Sequence, residues 1–185
     1  MALSADALVT WLGTKARLDL DDAQQATVET LIDVASVRAN AHTRRSLAAR
    51  DDTVHVDGTG TDTLPLPSYP INSVDSVFVD QYRDFGADSE ITDYLVDVDS
   101  LWRWCKWRKG TKNIKVVGNF GYATTPNDLM ESIYQLVNYW LESPNVGWLE
   151  TGSAEAGGYQ TRYVGVLDVP FQIRNVWDAY RRVPV

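Results

Sequence analysis

Cysteine, histidine and long apolar runs are scarce in this chain of 185 residues. Cys105 is the only cysteine, so no disulfide can form within the chain. The two histidines, His42 and His55, fall in different predicted elements, and neither lies near Cys105 at the spacing of a zinc site. No apolar stretch approaches the ~20 residues that a membrane helix needs. We therefore expect no metal, no cofactor and no membrane association.

The motifs of common catalytic sites are also absent. There is no Gly-x-Ser-x-Gly nucleophile elbow and no Gly-x-x-x-x-Gly-Lys phosphate loop. The segment DGTGTD, Asp57–Asp62, lacks the repeated oxygen ligands and the closing Glu of a calcium loop, so a hairpin turn is the favoured interpretation. Asp97 and Asp99 share one face of a predicted strand and could mimic a hydrolytic pair, but a solvated strand face explains them better. We predict no catalytic residue and no enzyme.

Basic residues are outnumbered by acidic ones, and the net charge is −8. Phosphate backbones repel such a chain, so bulk binding of nucleic acid is not expected. The exception is a stretch of thirteen residues, 103–115, which holds six cations and no acid. Without these six cations the rest of the chain would carry −14. The six are Arg103, Lys106, Arg108, Lys109, Lys112 and Lys115.

Aromatic residues are plentiful, with seven Trp and nine Tyr. Three of the Trp alternate with cations in WRWCKWRK, residues 102–109, which we call the basic aromatic run. Aromatic rings among cations can stack bases and neutralise phosphates. The pattern equally fits a sheet edge whose Trp rings cover the sheet while Lys and Arg stems reach water. It also fits a contact patch for an acidic neighbouring subunit, and one short basic run in an acidic chain argues against nucleic acid.

Four segments carry the periodicity and end signals of helices. Ser4 is a good N-cap for the first helix, which Gly13 stops, and Asp21 or Asp22 caps the second. Pro144 ends the third, whose apolar stripe is the most regular. The predicted ranges are Ala5–Leu12, Asp22 to about Ala48, about Asn127–Glu142 and about Pro170–Arg182. The stripe of the third helix comprises Leu129, Ile133, Leu136, Val137 and Trp140.

The middle of the chain predicts strands. Val54 and Val56 alternate with polar residues, and after a turn at Asp57–Gly60 the residues Thr63–Leu66 form a return strand. Further strands are predicted at Val74–Val79, Tyr94–Val98 and Ile114–Phe120, with a loop between Gln81 and Glu90. We therefore predict an α+β fold, in which a helical body of three to four helices from both chain ends carries an inserted small antiparallel β-domain. The predicted division is residues 1–50 and 122–185 for the body and 51–121 for the insertion.

The segment before the last helix, Asn145–Arg162, is rich in Gly, Ser, Thr and Ala and predicts a long loop. A Gly-rich tether within it, Ala154–Gly158, would let the last helix dock away from its own body. In one interpretation Ile173, Val176 and Trp177 simply complete the core. In the other, aromatic and Arg side chains of the helix anchor a partner, because these residue types dominate binding hot spots.

Two stretches carry a family resemblance. In KVVGNFGYATTPNDLMESIYQLVNYWLES, Lys115–Ser143, a strand stops at Gly121-Tyr122 and a polar turn with Pro126 leads into the third helix. In VDGTGTDTLPLPSYPINSVDSVFVD, Val56–Asp80, a Gly-rich turn, a Leu-Pro-Leu-Pro strand and a Tyr-Pro-Ile step precede a further strand. Together, in this order, they resemble the head–tail connector proteins (adaptor or head-completion proteins) of long-tailed double-stranded DNA phages.

The resemblance implies a structural virion protein at the head–tail interface, assembled in the host cytoplasm. Its subunits would form a ring, normally twelve-fold, beneath the portal protein of the filled head. The ring would receive the next connector, stopper or tail component, and DNA would pass through its channel without specific binding. We predict portal docking by Trp177, Tyr180, Arg181 and Arg182. We predict subunit contacts by Trp102, Arg103, Trp104, Lys106, Trp107 and Arg108. The alternative is a DNA-binding accessory module that uses the strip 102–115.

Overall fold

The computed structural model describes residues 3–142 and 168–181 and confirms the α+β class. Four α-helices and seven strands occur in these residues. The helices are α1 (Trp11–Leu18), α2 (Gln25–Thr43), α3 (Asn127–Glu142) and α4 (Phe171–Ala179). The strands are β1 (Arg50–Gly58), β2 (Thr63–Pro65), β3 (Ile71–Val79), β4 (Glu90–Ile91), β5 (Leu95–Val96), β6 (Ser100–Trp102) and β7 (Gly110–Phe120). No helix in the described part of the chain is both long and apolar enough to cross a membrane.

The third helix agrees with its prediction at both ends, and its whole predicted stripe is buried. Burial of a regular apolar stripe stabilises a helix more than propensity does, so such an element is the easiest to predict. The last helix is shorter than predicted, because α4 ends at Ala179. The predicted loop, Asn145–Arg162, and its tether, Ala154–Gly158, lie outside the described residues.

The prediction for the first helix is wrong, because α1 begins at Trp11, near the end of the predicted Ala5–Leu12. Thr10 is the true N-cap, and its Oγ1 accepts a hydrogen bond from the Gly13 N–H at 3.1 Å. The Ser4 N–H instead donates to Asp33 on α2, which ties the preceding segment to the body. Gly13 lies inside α1, where a Cβ would stand 2.7 Å from the hydroxyl oxygen of Tyr134. This glycine therefore allows close packing of α1 on α3 and does not end a helix.

The second helix ends earlier than the predicted Ala48. A 3-10 turn, Asp22–Gln24, precedes α2, and Asp21 forms a capping box with Gln24, so the predicted start is nearly correct. At the other end Arg44 adopts a left-handed conformation with φ 59°. The side chain of Asn40 then accepts the Leu47 N–H at 3.0 Å, which turns the chain out of the helix.

The strands form two antiparallel sheets where one was predicted. The larger has the order β1-β7-β3-β4 and the smaller has the order β2-β6-β5. The prediction that β2 returns beside β1 is wrong, because Leu64 on β2 lies opposite Leu101 on β6. Strand pairing is set by long-range contacts that a local turn signal does not contain. The predicted Gln81–Glu90 loop ends in a short 3-10 turn, Ala87–Ser89, before β4.

Buried side chains gather in two clusters. The helical core draws on both ends of the chain, from Leu8 through α2 and α3 to Trp177 on α4. The β core draws on strands of both sheets and only on the middle of the chain. Its members are Val54, Leu64, Leu66, Val77, Leu101, Trp107, Ile114, Val116 and Phe120.

Candidate contact surfaces

A buried arginine, Arg45, joins three parts of the molecule. It follows the left-handed end of α2, and only 8% of it is exposed. Its guanidinium donates to the carbonyl oxygens of Tyr69 (2.7 Å) and Tyr180 (3.0 Å) and to the hydroxyl of Tyr122 (3.2 Å). It also stacks over the Tyr69 ring at 3.9 Å. The planar guanidinium can satisfy several acceptors at once, so it links the helical body, the β part and the end of α4.

The C-terminal helix α4 is part of the helical core. Trp177 is 1% exposed, and its indole N–H donates to Ser132 Oγ on α3 at 2.9 Å. The hydroxyl of Tyr180 donates to Asp128 at 2.5 Å, and His42 Nε2 lies 2.8 Å from a carboxylate oxygen of Asp178. Burial, and then the hydrogen bond to Asp128, raise the pKa of Tyr180 well above its usual range. Helix α4 is therefore docked on its own body.

The predicted docking residues thus have different surroundings. Trp177 is in the core and Tyr180 is half-buried, while Arg181 is exposed. Arg182 lies outside the described residues. The face of α4 turned away from the core carries Phe171, which is 70% exposed, and the exposed Arg174. Neither residue stands out in the sequence, because Trp177 and Tyr180 are the larger aromatic side chains of this segment, and both pack in or against the core.

The basic aromatic run is split between the β core and the surface. Trp107 is fully buried, and its indole N–H lies within hydrogen-bonding distance of the carbonyl oxygens of Asp62 (3.0 Å) and Leu101 (3.2 Å). Arg103 forms a two-pronged ion pair with Asp93, with N–O distances of 2.9 Å, and lies over the Trp107 ring. The hydrogen bond from Arg103 lowers the pKa of Asp93 below its usual range. Trp107 and Arg103 therefore have structural partners within their own subunit.

The remaining members of the run face outward to different degrees. Trp104 is 84% exposed, and its ring meets the half-buried Trp102 edge-on, with centroids 6.0 Å apart. Lys106 and Arg108 are exposed, and Arg108 hydrogen-bonds Gln81. Of the three tryptophans in the run, only Trp104 is exposed. This geometry does not favour the DNA-binding alternative.

The aspartates considered as metal ligands or as a hydrolytic pair lie at turns and strand ends. Asp57 accepts the Lys112 N–H at 2.7 Å and so fastens the end of β1 to β7. Asp97 and Asp99 are both exposed at the turn between β5 and β6. Within residues 3–142 and 168–181, no three His, Cys, Asp or Glu side chains are grouped to hold a metal ion.

Comparison with known proteins identifies the family. The profile of the head completion protein family matches residues 3–183. The chain belongs to this family. Its fold also matches the neck of an empty GTA particle computed with C6 symmetry, at a TM-score of 0.61 and 17% identity, over 100% of this chain and 94% of that one. The neck of a native GTA particle computed with C12 symmetry matches at 0.57 and 18%, with the same coverage. No curated protein sequence matches.

Family membership confirms the resemblance and the structural role inferred from the sequence. The match covers nearly the whole chain, so it includes the helical body, the β part and the C-terminal helix. The chain is therefore a structural component of a head–tail connection. The contact residues inside that connection are a separate question, because neither the family match nor the shared fold assigns them.

Proposed function

We propose that the chain is the adaptor subunit of a phage head–tail connector and assembles as a homo-oligomeric ring beneath the portal. The observation that carries this is the family match over residues 3–183. The fold shared with particle necks computed with C6 and C12 symmetry supports a ring, with twelve subunits as the expected number. The ring would join the filled head to the next connector, stopper or tail component.

The proposed mechanism is assembly, without a catalytic centre. Identical subunits that make head-to-tail contacts close into a ring when the rotation between neighbours matches. Weak contacts of each subunit with the portal add up when many subunits bind one symmetric partner. The net charge of −8 suits a channel that DNA must traverse without being held, because acidic surfaces repel phosphates.

We further propose that α4 docks on the portal while it remains seated on its own body. Trp177 and Tyr180 position the helix through Ser132 and Asp128. The accessible residues Phe171, Arg174 and Arg181 then supply the contact. Phe171 and Arg174 lie about one helical turn apart at the start of α4, and Arg181 follows its end. Arg and aromatic side chains at such positions dominate measured binding hot spots.

The direct test is the particle phenotype. Phage lacking this chain should accumulate filled heads and free tails that do not join, and the purified wild-type chain should restore joining in the extract. Full-length protein carrying Phe171→Ser with Arg174→Ser should bind portal rings more weakly while keeping its fold. Ala5→Ser with Thr124→Ser, at two exposed positions outside α4, is the matched control. Normal joining without the chain would reject the proposed function, and unchanged portal binding by the α4 variant would move the docking site elsewhere.

A further inference from the structure

The β5–β6 hairpin exposes an unusual amount of apolar surface. Half of the large hydrophobic residues that are exposed in the described part of the chain fall between Leu95 and Trp104. Leu95 is 64% exposed, Val98 65% and Trp104 84%. Contiguous apolar surface on a folded protein marks an interaction site more often than scattered single residues do.

Strand register and a ring contact show that Leu95, Trp102 and Trp104 are neighbours. Leu95 lies directly opposite Trp102, so the two side chains share one face of the sheet. The Trp102 ring in turn contacts the Trp104 ring, with 6.0 Å between centroids. Leu101, the next residue along β6, points the other way and is fully buried. The outer face of the hairpin therefore carries one connected apolar surface, formed by Leu95, Trp102 and Trp104, whereas Leu101 on the other face belongs to the β core.

The two ends of this surface carry opposite charges. The turn that joins β5 to β6 presents two exposed acids, Asp97 and Asp99. The opposite end, where the chain leaves β6, presents exposed Lys106, Arg108 and Lys109. An apolar centre with a polar rim of both signs is the composition of a protein contact. A phosphate surface would be attracted at one end and repelled at the other, which favours a protein partner over DNA.

We propose that the β5–β6 hairpin joins neighbouring copies of this chain head to tail. In this contact the basic end of one hairpin (Lys106, Arg108, Lys109) faces the acidic turn (Asp97, Asp99) of the next, and Trp104 and Val98 become covered between them. The proposal rests on the proposed ring function and names the surface that closes it. A second copy of the chain fits this surface, because each hairpin carries both a basic end and an acidic turn.

The charge pattern alone also matches a two-fold arrangement, in which two hairpins lie antiparallel. A two-fold contact is complete with two subunits, whereas a head-to-tail contact leaves a free end on each side and continues until the ring closes. Because the proposed function requires a ring, head-to-tail contact is the arrangement we adopt. In the two-fold arrangement each hairpin meets one other hairpin, so cross-links between them stop at dimers. In the head-to-tail arrangement each hairpin meets a neighbour at both ends, so cross-links can continue around the ring.

Charge reversal at each end is the first test. The full-length variants D97K/D99K and K106E/R108E each place like charges together at every contact. Mass photometry should show that each variant needs a protein concentration at least about tenfold higher than wild type to form rings. The combined variant, with all four changes, again pairs opposite charges and should assemble like wild type. Arg83→Glu and Asp88→Lys, exposed in the loop before β4, are matched controls and should assemble normally.

Cysteine cross-linking is the second test and does not alter the charges. The native Cys105 is exposed at the basic end, and Val98→Cys would place a second thiol at the acidic turn. Mild oxidation of assembled V98C protein should give a ladder of covalent dimers, trimers and higher multimers. The V98C/C105S variant should give no ladder, and wild type should give none through Cys105 alone.

The outcomes distinguish a wrong hairpin contact from a wrong proposed function. If rings form but the charge variants assemble like wild type, or V98C stops at dimers or does not cross-link, the hairpin contact is wrong and the proposed function stands. If wild type forms no ring even with portal complexes, both fail. DNA binding by wild type that K106E/R108E abolishes would assign this surface to nucleic acid and overturn the proposal. Circular dichroism of each variant checks that assembly differences do not come from unfolding.

Discussion

The helical core and the β core each bury one tryptophan completely, but they are built in different ways. Trp177 reaches the helical core from the far end of the chain, and its N–H is satisfied by a side chain, Ser132. Trp107 enters the β core from within the same stretch of chain, and main-chain carbonyls accept its N–H. The helical core therefore depends on bringing both chain ends together, while the β core is assembled from one continuous stretch of the chain, Val54 to Phe120.

This difference determines which surface of each part remains free to contact other proteins. Since α4 is a member of the helical core, its buried face cannot leave without exposing Trp177 and Ile173. The β core is closed by Trp107 and the pairing of Arg103 with Asp93, which leaves the outer face of the β5–β6 hairpin open. We therefore propose that residues 51–121 form one cooperative unit, that residues 1–50 and 122–185 form another, and that Arg45 links them.

The largest expected effects come from truncating the two buried tryptophans. Trp177→Ala and Trp107→Ala should each lower the free energy of unfolding by about 3–5 kcal/mol, because each leaves a large cavity and orphaned acceptors. In hydrogen exchange, W107A should loosen β1 to β7 and leave α2 and α3 protected, whereas W177A should loosen the helices first. Trp104→Ala, at an exposed site in the same run, is the control and should change little. Equal loosening of both parts by both variants would contradict the division into two units.

Loss of Arg45 should have the next largest effect. Arg45→Met keeps the length of the side chain but removes its hydrogen bonds to Tyr69, Tyr180 and Tyr122. Leaving buried acceptors without a donor should cost about 2–3 kcal/mol in urea unfolding. Arg44→Met is a close control, since Arg44 is the preceding, exposed residue. If the two variants are equally stable, Arg45 does not link the two cores.

A tight approach of two strands gives a third, smaller effect. In the larger sheet a Cβ on Gly118 would lie 2.3 Å from the carbonyl oxygen of Ser73, next to an irregularity in β3. Gly118→Ala should therefore push β3 from β7 and cost about 1–3 kcal/mol. At Gly86, in the loop before β4, a Cβ would meet nothing within 4 Å, so Gly86→Ala should be close to neutral. Thermal melts of the two variants make the comparison.

The smallest expected effect is a loss of stability at alkaline pH that comes from Tyr180, at the end of α4. The pKa of Tyr180 is raised in the folded state, so the folded protein holds this proton more tightly than the unfolded chain does. Its contribution to stability is complete below the unfolded pKa of about 10 and is lost as the pH rises above it. The stability difference between wild type and Tyr180→Phe should shrink between about pH 8 and about pH 11. A stability difference that stays constant from about pH 8 to about pH 11 would contradict this role of the Tyr180 proton.

The elements that could be predicted from the sequence are those in which local pattern and burial agree. The third helix was predicted at both ends because a regular stripe, Leu129 to Trp140, faces the core. The start of the first helix could not be predicted, because Ser4 is the better N-cap by residue type while Thr10 caps the helix, and the hydrogen bond from Ser4 to Asp33 is a long-range contact. The partner of β2 was missed for the same reason, since nothing near Leu64 points to Leu101.

The contact surfaces were only partly predictable. The alternation of Trp and cations singled out residues 102–109, but it did not show that Trp107 and Arg103 are held within their own subunit. Arg45 was not singled out, because an Arg after a helix is ordinarily solvated and only the tertiary structure brings Tyr69, Tyr122 and Tyr180 around it. Local sequence carries no signal for such a junction.

The measurement that tests the central claim most directly is the mass of the assembled protein, with and without portal complexes. Mass photometry of the concentrated wild-type chain should show a single closed species whose mass is a fixed multiple of the 20.7 kDa subunit, and this species should join portal complexes. Twelve subunits per portal is the expected ratio. A chain that stays monomeric at every concentration and does not bind portal complexes would contradict the account.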